Sequence, residues 1–280
     1  MAASLVTYLL AYSGYHNNCC IMLRKMGEIS DLCFNLEKVK TGIKIASQRR
    51  APVYQYREPR LVAVTKTKPT AMIVAAYQQG LRHFAENYIQ ELVTKANDEV
   101  FVVQKLQTQC PDIRWHFIGH LQRNKVTKLV SVPNLYLLET VDSIKLATAL
   151  NEALKKDANR TGPLMVFVQV NTSEEEAKGG CQPEQLSSVV KHILNECPTM
   201  VFKGLMTIGQ FGYNPEDGPN PDFVKLVQCR SDLCQELKLN SEDVELSMGM
   251  SDDYEHAIVL GSTNVRVGTL LFGKRTLMPN

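Results

Sequence analysis

The sequence contains no C-x-x-C pair, although eight of its 280 residues are cysteine. Zinc ribbons and thioredoxin-like redox sites are built on that spacing, so neither class fits. The cysteines are scattered along the chain, which indicates reduced thiols rather than a disulfide framework. We therefore expect a cytoplasmic protein without a metal site, and association with mitochondria stays open.

An excess of charge of one sign is also missing, because 31 basic and 29 acidic residues leave a net charge of +2. This balance lacks the electrostatic footprint of a nucleic-acid-binding protein. Apolar runs long enough to cross a bilayer are absent as well. The run from Leu5 to Tyr12 is too short, and no Lys or Arg precedes it as in a signal peptide. Neither nucleic acid nor membrane is an expected partner.

The chain divides into a short N-terminal segment and one large domain. We predict a poorly ordered extension over residues 1–26, in which a targeting segment stays open and Met22 and Met26 are alternative starts. Residues 27–280 form the second unit. Hydrophobic residues make up 44% of the chain, enough to bury a globular core.

From residue 61 onward, strand patterns alternate with helix patterns, which indicates a parallel sheet covered by helices. The predicted strands are Leu61–Thr65, His83–Ala85, Trp115–Ile118, Tyr136–Leu138, Leu164–Val170, Phe202–Thr207, Val244–Ser247 and Asn264–Val267. Eight strands with intervening helices fit a single (β/α)₈ barrel. The alternative is an open doubly wound sheet, but its first turn is normally rich in glycine, and Thr65–Pro69 contains none.

Helical periodicity fills the connections between the strands. The predicted helices cover Ile29–Ala46, Pro69–Gln79, residues 142 to 154, Pro183–Leu194 and Asp222–Leu237, with a short helix after Ser251. The first of them precedes the barrel and is placed at its bottom. Ser251 is the expected cap of the short helix. The segment Tyr213–Asp222 follows the sixth strand and is a candidate lid.

Lys66 is the most informative residue in the chain. It follows the first buried strand directly, and Pro69 three positions later suits the start of a helix. Barrel enzymes place their chemistry at this carboxyl end of the strands. A lysine amine there can form a Schiff base with an aldehyde. For a lysine considered alone, a solvated surface position is the more frequent situation.

Other segments with chemical potential fall at the same end of the barrel. Glu86 follows the second strand, where it is either a general base or the ion-pair partner of Lys68 or Arg266. Gly249 and Gly268 end the seventh and eighth strands, the usual phosphate site of this barrel. Glycine there leaves backbone N–H groups open to an anion. His120 is a weaker candidate for the same mouth.

These motifs resemble the pyridoxal phosphate homeostasis proteins, a family of single-barrel cofactor-binding proteins similar to the barrel domain of alanine racemase. The segments that carry the resemblance are Val62–Pro69, Glu86–Tyr88, Trp115–Gln122, Gly204–Gly209, Glu245–Ser251 and Gly261–Gly268. The resemblance spans about residues 60–273. It implies that Lys66 holds pyridoxal 5′-phosphate as an internal aldimine and that Arg266 faces the pyridine nitrogen. The cofactor-binding residues that it implies are Lys66, Asn87, Met206, Ser247, Met248, Gly249, Arg266, Gly268 and Thr269.

The function that the resemblance implies is storage, buffering or delivery of pyridoxal phosphate, with apo-enzymes that use this cofactor as partners. An arginine beside the ring nitrogen keeps that nitrogen unprotonated and weakens the ring as an electron sink. We therefore expect no catalytic residue and no significant turnover. The lack of an extra β domain after the barrel favours a monomer.

Two other functions remain open at this point. A single-domain amino-acid racemase would need a second acid or base across the ring from Lys66. A phosphosugar isomerase-type barrel would use Lys66 on its substrate without any cofactor.

Overall fold

The computed structural model describes residues 19–97, 106–175 and 178–274. Its strands are β1 (Arg60–Val64), β2 (His83–Glu86), β3 (Arg114–Phe117), β4 (Leu135–Val141), β5 (Leu164–Gln169), β6 (Met200–Met206), β7 (Glu245–Ser247) and β8 (Asn264–Val267). Its helices are α1 (Cys19–Gln48), α2 (Thr70–Gln78), α3 (Ile89–Ala96), α4 (Leu106–Gln109), α5 (Val126–Val130), α6 (Ile144–Lys155), α7 (Pro183–Glu196), α8 (Pro221–Leu237), α9 (Tyr254–Val259) and α10 (Thr269–Phe272).

The strands close into a parallel barrel in chain order, from β1 to β8. β1 pairs with β2 on one side and with β8 on the other, where Val62 lies opposite Arg266. The closed sheet confirms the predicted barrel and excludes the open doubly wound alternative. Because all strands run the same way, their carboxyl ends meet at one mouth.

Most of the apolar core lies between the strands and the surrounding helices. One continuous cluster joins the outward-facing strand residues to the helices, with Phe84, Trp115 and Phe117 among its largest fully buried side chains. Inside the barrel the apolar groups are smaller. One is formed by Val62, Ala85 and Ile118, and another by Leu137, Phe167 and Met206. The remaining interior positions carry polar and charged side chains, which is unusual because barrel interiors are normally filled by branched apolar residues.

The predicted strands all coincide with observed ones, and the largest difference is in β4. We ended that strand at Leu138, whereas it runs to Val141. Among the helices, α1 is longer than predicted and does not close the bottom of the barrel. It packs against α9 and α10 and also contacts α2, on the outer wall. The predicted N-terminal extension falls largely outside the described residues and stays a prediction.

The cap predicted at Ser251 is wrong. Helix α9 begins three residues later, with Asp253 at its N-cap position. The Ser251 hydroxyl instead accepts hydrogen bonds from the backbone N–H groups of Gly268 and Leu270, 3.3 and 3.4 Å away. It therefore ties the β7 loop to the start of α10.

Gly204 allows β6 and β7 to approach closely. A Cβ atom at this position would lie 2.2 Å from the carbonyl oxygen of Glu245, the residue opposite it in β7. Any side chain would therefore push against the backbone of the neighbouring strand, which cannot move without disturbing the barrel. Gly204 is a packing requirement of the closed sheet.

We expect Gly204→Ala to lower the free energy of unfolding by about 3 kcal/mol, the upper range for overpacking a core. Chemical denaturation of the full chain measures it. Gly162→Ala is the matched control, because a Cβ there meets nothing within 4 Å. Equal stability of the two variants would contradict the close approach of β6 and β7.

Candidate functional site

Lys66 lies at the mouth of the barrel, immediately after β1. Its side chain is half-buried, and its Nζ atom lies 4.7 Å from the centre of the Tyr88 ring. The next residue, Thr67, has a φ of 62°. A β-branched residue in this left-handed region is strained, and strain of this kind persists only where the surroundings hold it. The backbone around Lys66 is therefore held in place by its neighbours.

The residues that hold it come from α3. The Nζ atom of Lys95 donates to the carbonyl oxygen of Thr65 at 2.7 Å and to the carboxylates of Glu86 and Glu91 at 2.6 and 2.7 Å. Glu91 in turn accepts from the backbone N–H of Thr67 at 2.6 Å. The residues on both sides of Lys66 are thus bound to one ion cluster, which we name the α3 clamp (Glu86, Glu91 and Lys95).

Glu86 is part of this clamp and does not face the cavity. It is completely buried, and its Oε1 atom also accepts from the Thr65 hydroxyl at 2.5 Å. The expected pairing with Lys68 or Arg266 is wrong, because the partner is Lys95. Burial raises the pKa of Glu86, although Lys95 and Thr65 act in the opposite direction. A general-base role does not fit a carboxylate enclosed in this way.

A cavity of about 330 Å³ opens beside Lys66, a size at the lower end of small-molecule sites. Its lining residues are Val64, Lys66, Lys68, Asn87, Ile118, Phe211, Met250, Ser251, Asp252, Arg266, Gly268, Thr269 and Gly273. Lys66, Lys68 and Arg266 bring three positive charges to this lining and Asp252 one negative charge. The cavity therefore suits an anionic ligand.

Arg266 extends from β8 into the barrel interior and is only 3% exposed. Its guanidinium donates to the Ser247 hydroxyl at 2.7 Å and to the carbonyl oxygen of Thr207 at 2.8 Å. Burial lowers the pKa of Arg266, while the negative charges of Glu139 and Asp253 raise it. Arginine remains cationic in proteins. The cavity thus has a fixed positive charge in its wall.

The turn after β8 offers donors for an anion. Gly268 is the N-cap of α10, where the backbone N–H groups point out of the helix. A Cβ at Gly268 would lie 3.1 Å from the Val64 carbonyl oxygen, so a side chain there would be crowded. Thr269 adds a hydroxyl to the same corner. Ser251, which the sequence argument treated only as a helix cap, lines this corner too.

The nine predicted cofactor-binding residues separate into two groups. Lys66, Asn87, Arg266, Gly268 and Thr269 line the cavity. Ser247 lies behind Arg266 and is fully buried. Met206 belongs to the barrel interior, Met248 to the layer between barrel and helices, and Gly249 accepts the Arg266 backbone N–H through its carbonyl oxygen. These last four support the cavity wall from behind rather than line it.

His120 lies at the mouth but is exposed, with its Nδ1 atom 3.7 Å from a carboxylate oxygen of Asp142. It does not line the cavity. Another histidine, His116, had no predicted role and is buried inside the barrel beside Glu139. The period-two alternation of β3 places His116 on the inner face, a signal that the sequence contains.

Comparisons with known proteins point to one family. The family profile described as "Alanine racemase, N-terminal domain" matches residues 36–276. The chain is 50% identical to the pyridoxal phosphate homeostasis protein of Mus musculus over 242 residues, 86% of each protein. It is 40% identical to the protein of the same name from Haemophilus influenzae over 239 residues, 85% of this chain and 92% of the relative.

This chain belongs to the pyridoxal phosphate homeostasis protein family.

Solved structures show the same fold in this family. PipY of Synechococcus elongatus PCC7942, solved with PLP bound, has a TM-score of 0.64 and 30% identity, covering 81% of this chain and all of PipY. An alanine racemase of Clostridium difficile has a TM-score of 0.62 at 16% identity, so it shares the fold alone. The matched region covers 88% of this chain and 60% of the racemase.

The described residues contain neither a metal site nor a membrane-spanning helix. Within residues 19–97, 106–175 and 178–274, no three His, Cys, Asp or Glu side chains are arranged to hold a metal ion. In the same part of the chain, no helix has both the length and the apolar character needed to cross a membrane.

The α3 clamp predicts a large loss of stability on removing its cation. Lys95→Met keeps the aliphatic stem of the side chain but leaves Glu86 buried without its cationic partner. The Oε2 atom of Glu86 already has no hydrogen-bond partner among the described residues. Removing one member of a buried pair costs about 4 kcal/mol. Denaturant titration measures this loss. Lys155→Met, which breaks an exposed pair with Glu152, is the control and should change little.

The same variant should lose stability as the pH rises. Burial raises the pKa of Glu86 in the folded protein, whereas the unfolded chain ionises this residue near pH ~4.3. The folded state then binds the extra proton, so stability decreases above that pH. A loss that does not change with pH would show that Glu86 is not the group left unpaired.

Proposed function

We propose that this protein binds pyridoxal 5′-phosphate and stores, buffers or delivers it, with Lys66 linked to the aldehyde of the cofactor as a Schiff base. The observation that carries the proposal is the position of Lys66. Its amine stands at the mouth of a closed barrel, beside a small cavity with an excess of positive charge. The names of the relatives and the PLP-bound PipY structure support the same ligand.

The residues of the cavity fit the parts of this cofactor. Lys66 supplies the amine. Beside Gly268, Thr269 and Ser251 would supply hydroxyl donors for the phosphate at the start of α10, and the charge of Lys68 would assist them. Arg266 would face the pyridine nitrogen, and Asn87 would contact the ring from the β2 side. When bound, the cofactor supplies a reactive aldehyde and a ring that accepts electrons.

Arg266 is the reason that we propose a carrier rather than an enzyme. A cation fixed at the ring nitrogen disfavours protonation of that nitrogen, which weakens the electron-accepting capacity of the ring. The carboxylate most directly linked to Arg266, Glu139, lies behind it on the side of Ser247, not in the cavity lining. The arrangement retains an aldehyde without activating it strongly.

The partners that we propose are the cofactor itself and apo-enzymes that accept it. A monomeric cytoplasmic protein fits this role, since a carrier has to present its cavity mouth to many partners. The six cysteines whose side chains the structure describes are free thiols, in keeping with a reducing compartment. Phe211 stands exposed at the cavity rim, just before the candidate lid Tyr213–Asp222.

The proposed link predicts a single labelled lysine. After loading with pyridoxal phosphate and reduction with borohydride, peptide mapping should find the pyridoxyl group on Lys66. Lys66→Ala should abolish the visible absorbance band of the bound cofactor and leave thermal unfolding of the cofactor-free protein nearly unchanged, because a mouth residue contributes little packing. Lys68→Arg is the control and should retain the label. A label on Lys68, or on no lysine, would overturn the assignment.

A carrier should transfer its cofactor and exchange no substrate protons. We expect the loaded protein to reactivate a pyridoxal phosphate-dependent apo-enzyme, and to leave the α-deuterium of L-amino acids in place over hours. The two assays are run on the same preparation, with free cofactor at equal concentration as the control. Rapid exchange with inversion would make the protein a racemase. Turnover of a phosphosugar without cofactor would favour the isomerase alternative.

A further inference from the structure

The interior of the barrel contains an unbroken chain of hydrogen bonds that ends at Arg266. Arg266 donates to the Ser247 hydroxyl at 2.7 Å, and Ser247 donates to Oε2 of Glu139 at 2.5 Å. His116 Nδ1 lies 2.6 Å from Oε1 of Glu139. His83 Nδ1 lies 2.8 Å from His116 Nε2, and Arg114 is 3.3 Å from His83 Nε2. These six side chains come from five different strands, so the hydrogen-bonded chain crosses the barrel.

The hydrogen-bond donors on both sides of Glu139 point toward it. On the His116 side, Arg114 at the outer end of the chain fixes this direction. The guanidinium of Arg114 can only donate, so Nε2 of His83 accepts and its proton is on Nδ1. That proton is given to Nε2 of His116, whose own proton is then on Nδ1 and is given to Glu139. Protons therefore point at Glu139 from both sides, from His116 and from Ser247. A carboxylate that accepts on both oxygens in this way is held in its anionic form.

The charges agree with this direction. Burial lowers the pKa of His83 to about 2, with the charges of Arg60 and Arg114 acting the same way, so His83 is neutral. Burial alone would raise the pKa of Glu139, but the hydrogen bond from His116, the charge of Arg266 and the bond from Ser247 lower it below its usual value. Glu139 is fully buried and is an anion.

We propose that Glu139 is a positioning residue for the cofactor site: through Ser247 it fixes the orientation of Arg266, and its charge offsets that of Arg266 in the barrel interior. This inference rests on the proposed function. Glu139 is absent from the cavity lining, so it acts through Arg266 rather than on the ligand. The other acid whose charge acts on Arg266 is Asp253, and its Oδ1 atom accepts the backbone N–H of Met250.

The chain of hydrogen bonds contributes both a link that orients Arg266 and a negative charge, and two variants separate these contributions. Ser247→Ala removes the link but keeps both charges, so Arg266 loses its orientation and cofactor affinity falls. Glu139→Gln keeps the shape but removes the negative charge. The site then carries one more positive charge, and the protonated form of the Lys66 nitrogen in the loaded protein becomes less stable.

The experiment uses the full chain loaded with pyridoxal phosphate, with absorbance followed from pH 5 to 10. We expect Glu139→Gln to lower the midpoint of the spectral transition by about one pH unit, the order of magnitude for removing one unit charge from the barrel interior at an effective dielectric constant near 20. Ser247→Ala should weaken cofactor affinity about tenfold and leave the midpoint in place. Glu152→Gln removes an exposed acid from α6 and is the charge-matched control, expected to behave as the wild type.

Thermal unfolding of the cofactor-free variants separates positioning from plain structural support. A lower melting temperature for Glu139→Gln with unchanged midpoint and affinity would overturn the proposal, because the residue would then only stabilise the fold. If Glu139→Gln does not fold, Ser247→Ala decides, and wild-type affinity in that variant would overturn the proposal. A wild-type protein that shows no visible band with the cofactor would instead refute the proposed function, independently of Glu139.

Discussion

The structure depends most on the burial of the Arg266 charge inside the barrel. A guanidinium that is 3% exposed has lost almost all of its hydration, and the fold has to replace it. Ser247 and the Thr207 carbonyl do so directly, and Glu139 does so electrostatically. This requirement explains why the interior contains histidines and a glutamate where barrels of this type normally pack branched apolar side chains.

A second ion cluster, separate from the groups around Arg266, fixes the backbone beside Lys66. The α3 clamp lies outside the barrel wall and holds the backbone on both sides of Lys66 through the Thr65 carbonyl and the Thr67 N–H. The backbone beside Lys66 and the Arg266 guanidinium are therefore linked to different acids, the buried Glu86 with the half-buried Glu91 in one case and the buried Glu139 in the other. Neither group has to rely on the ligand for its orientation, so the cavity is preorganised for binding.

The sequence predicted the fold and the presence of Lys66 and Arg266 at the cavity better than it predicted the ion pairs around them. The eight strands, Lys66 and Arg266 follow from apolar runs, strand ends and motif resemblance. Glu139 was missed because the strand pattern was ended at Leu138, one residue too early to include it. The pairing of Glu86 was wrong because α3, which carries Lys95, was not predicted. Ion pairs between elements distant in sequence leave no periodic signal.

The comparison with alanine racemase shows how little the barrel alone determines. The racemase shares the fold at 16% identity, yet this chain covers 60% of its length. Function therefore has to be argued from the site. In the proposed function, Lys66 would react with the aldehyde of the cofactor, and the fixed charge of Arg266 would oppose protonation of the cofactor ring. A protein arranged in this way would hold a reactive aldehyde in a barrel mouth without the electronic activation that catalysis needs, as the proposed reservoir requires.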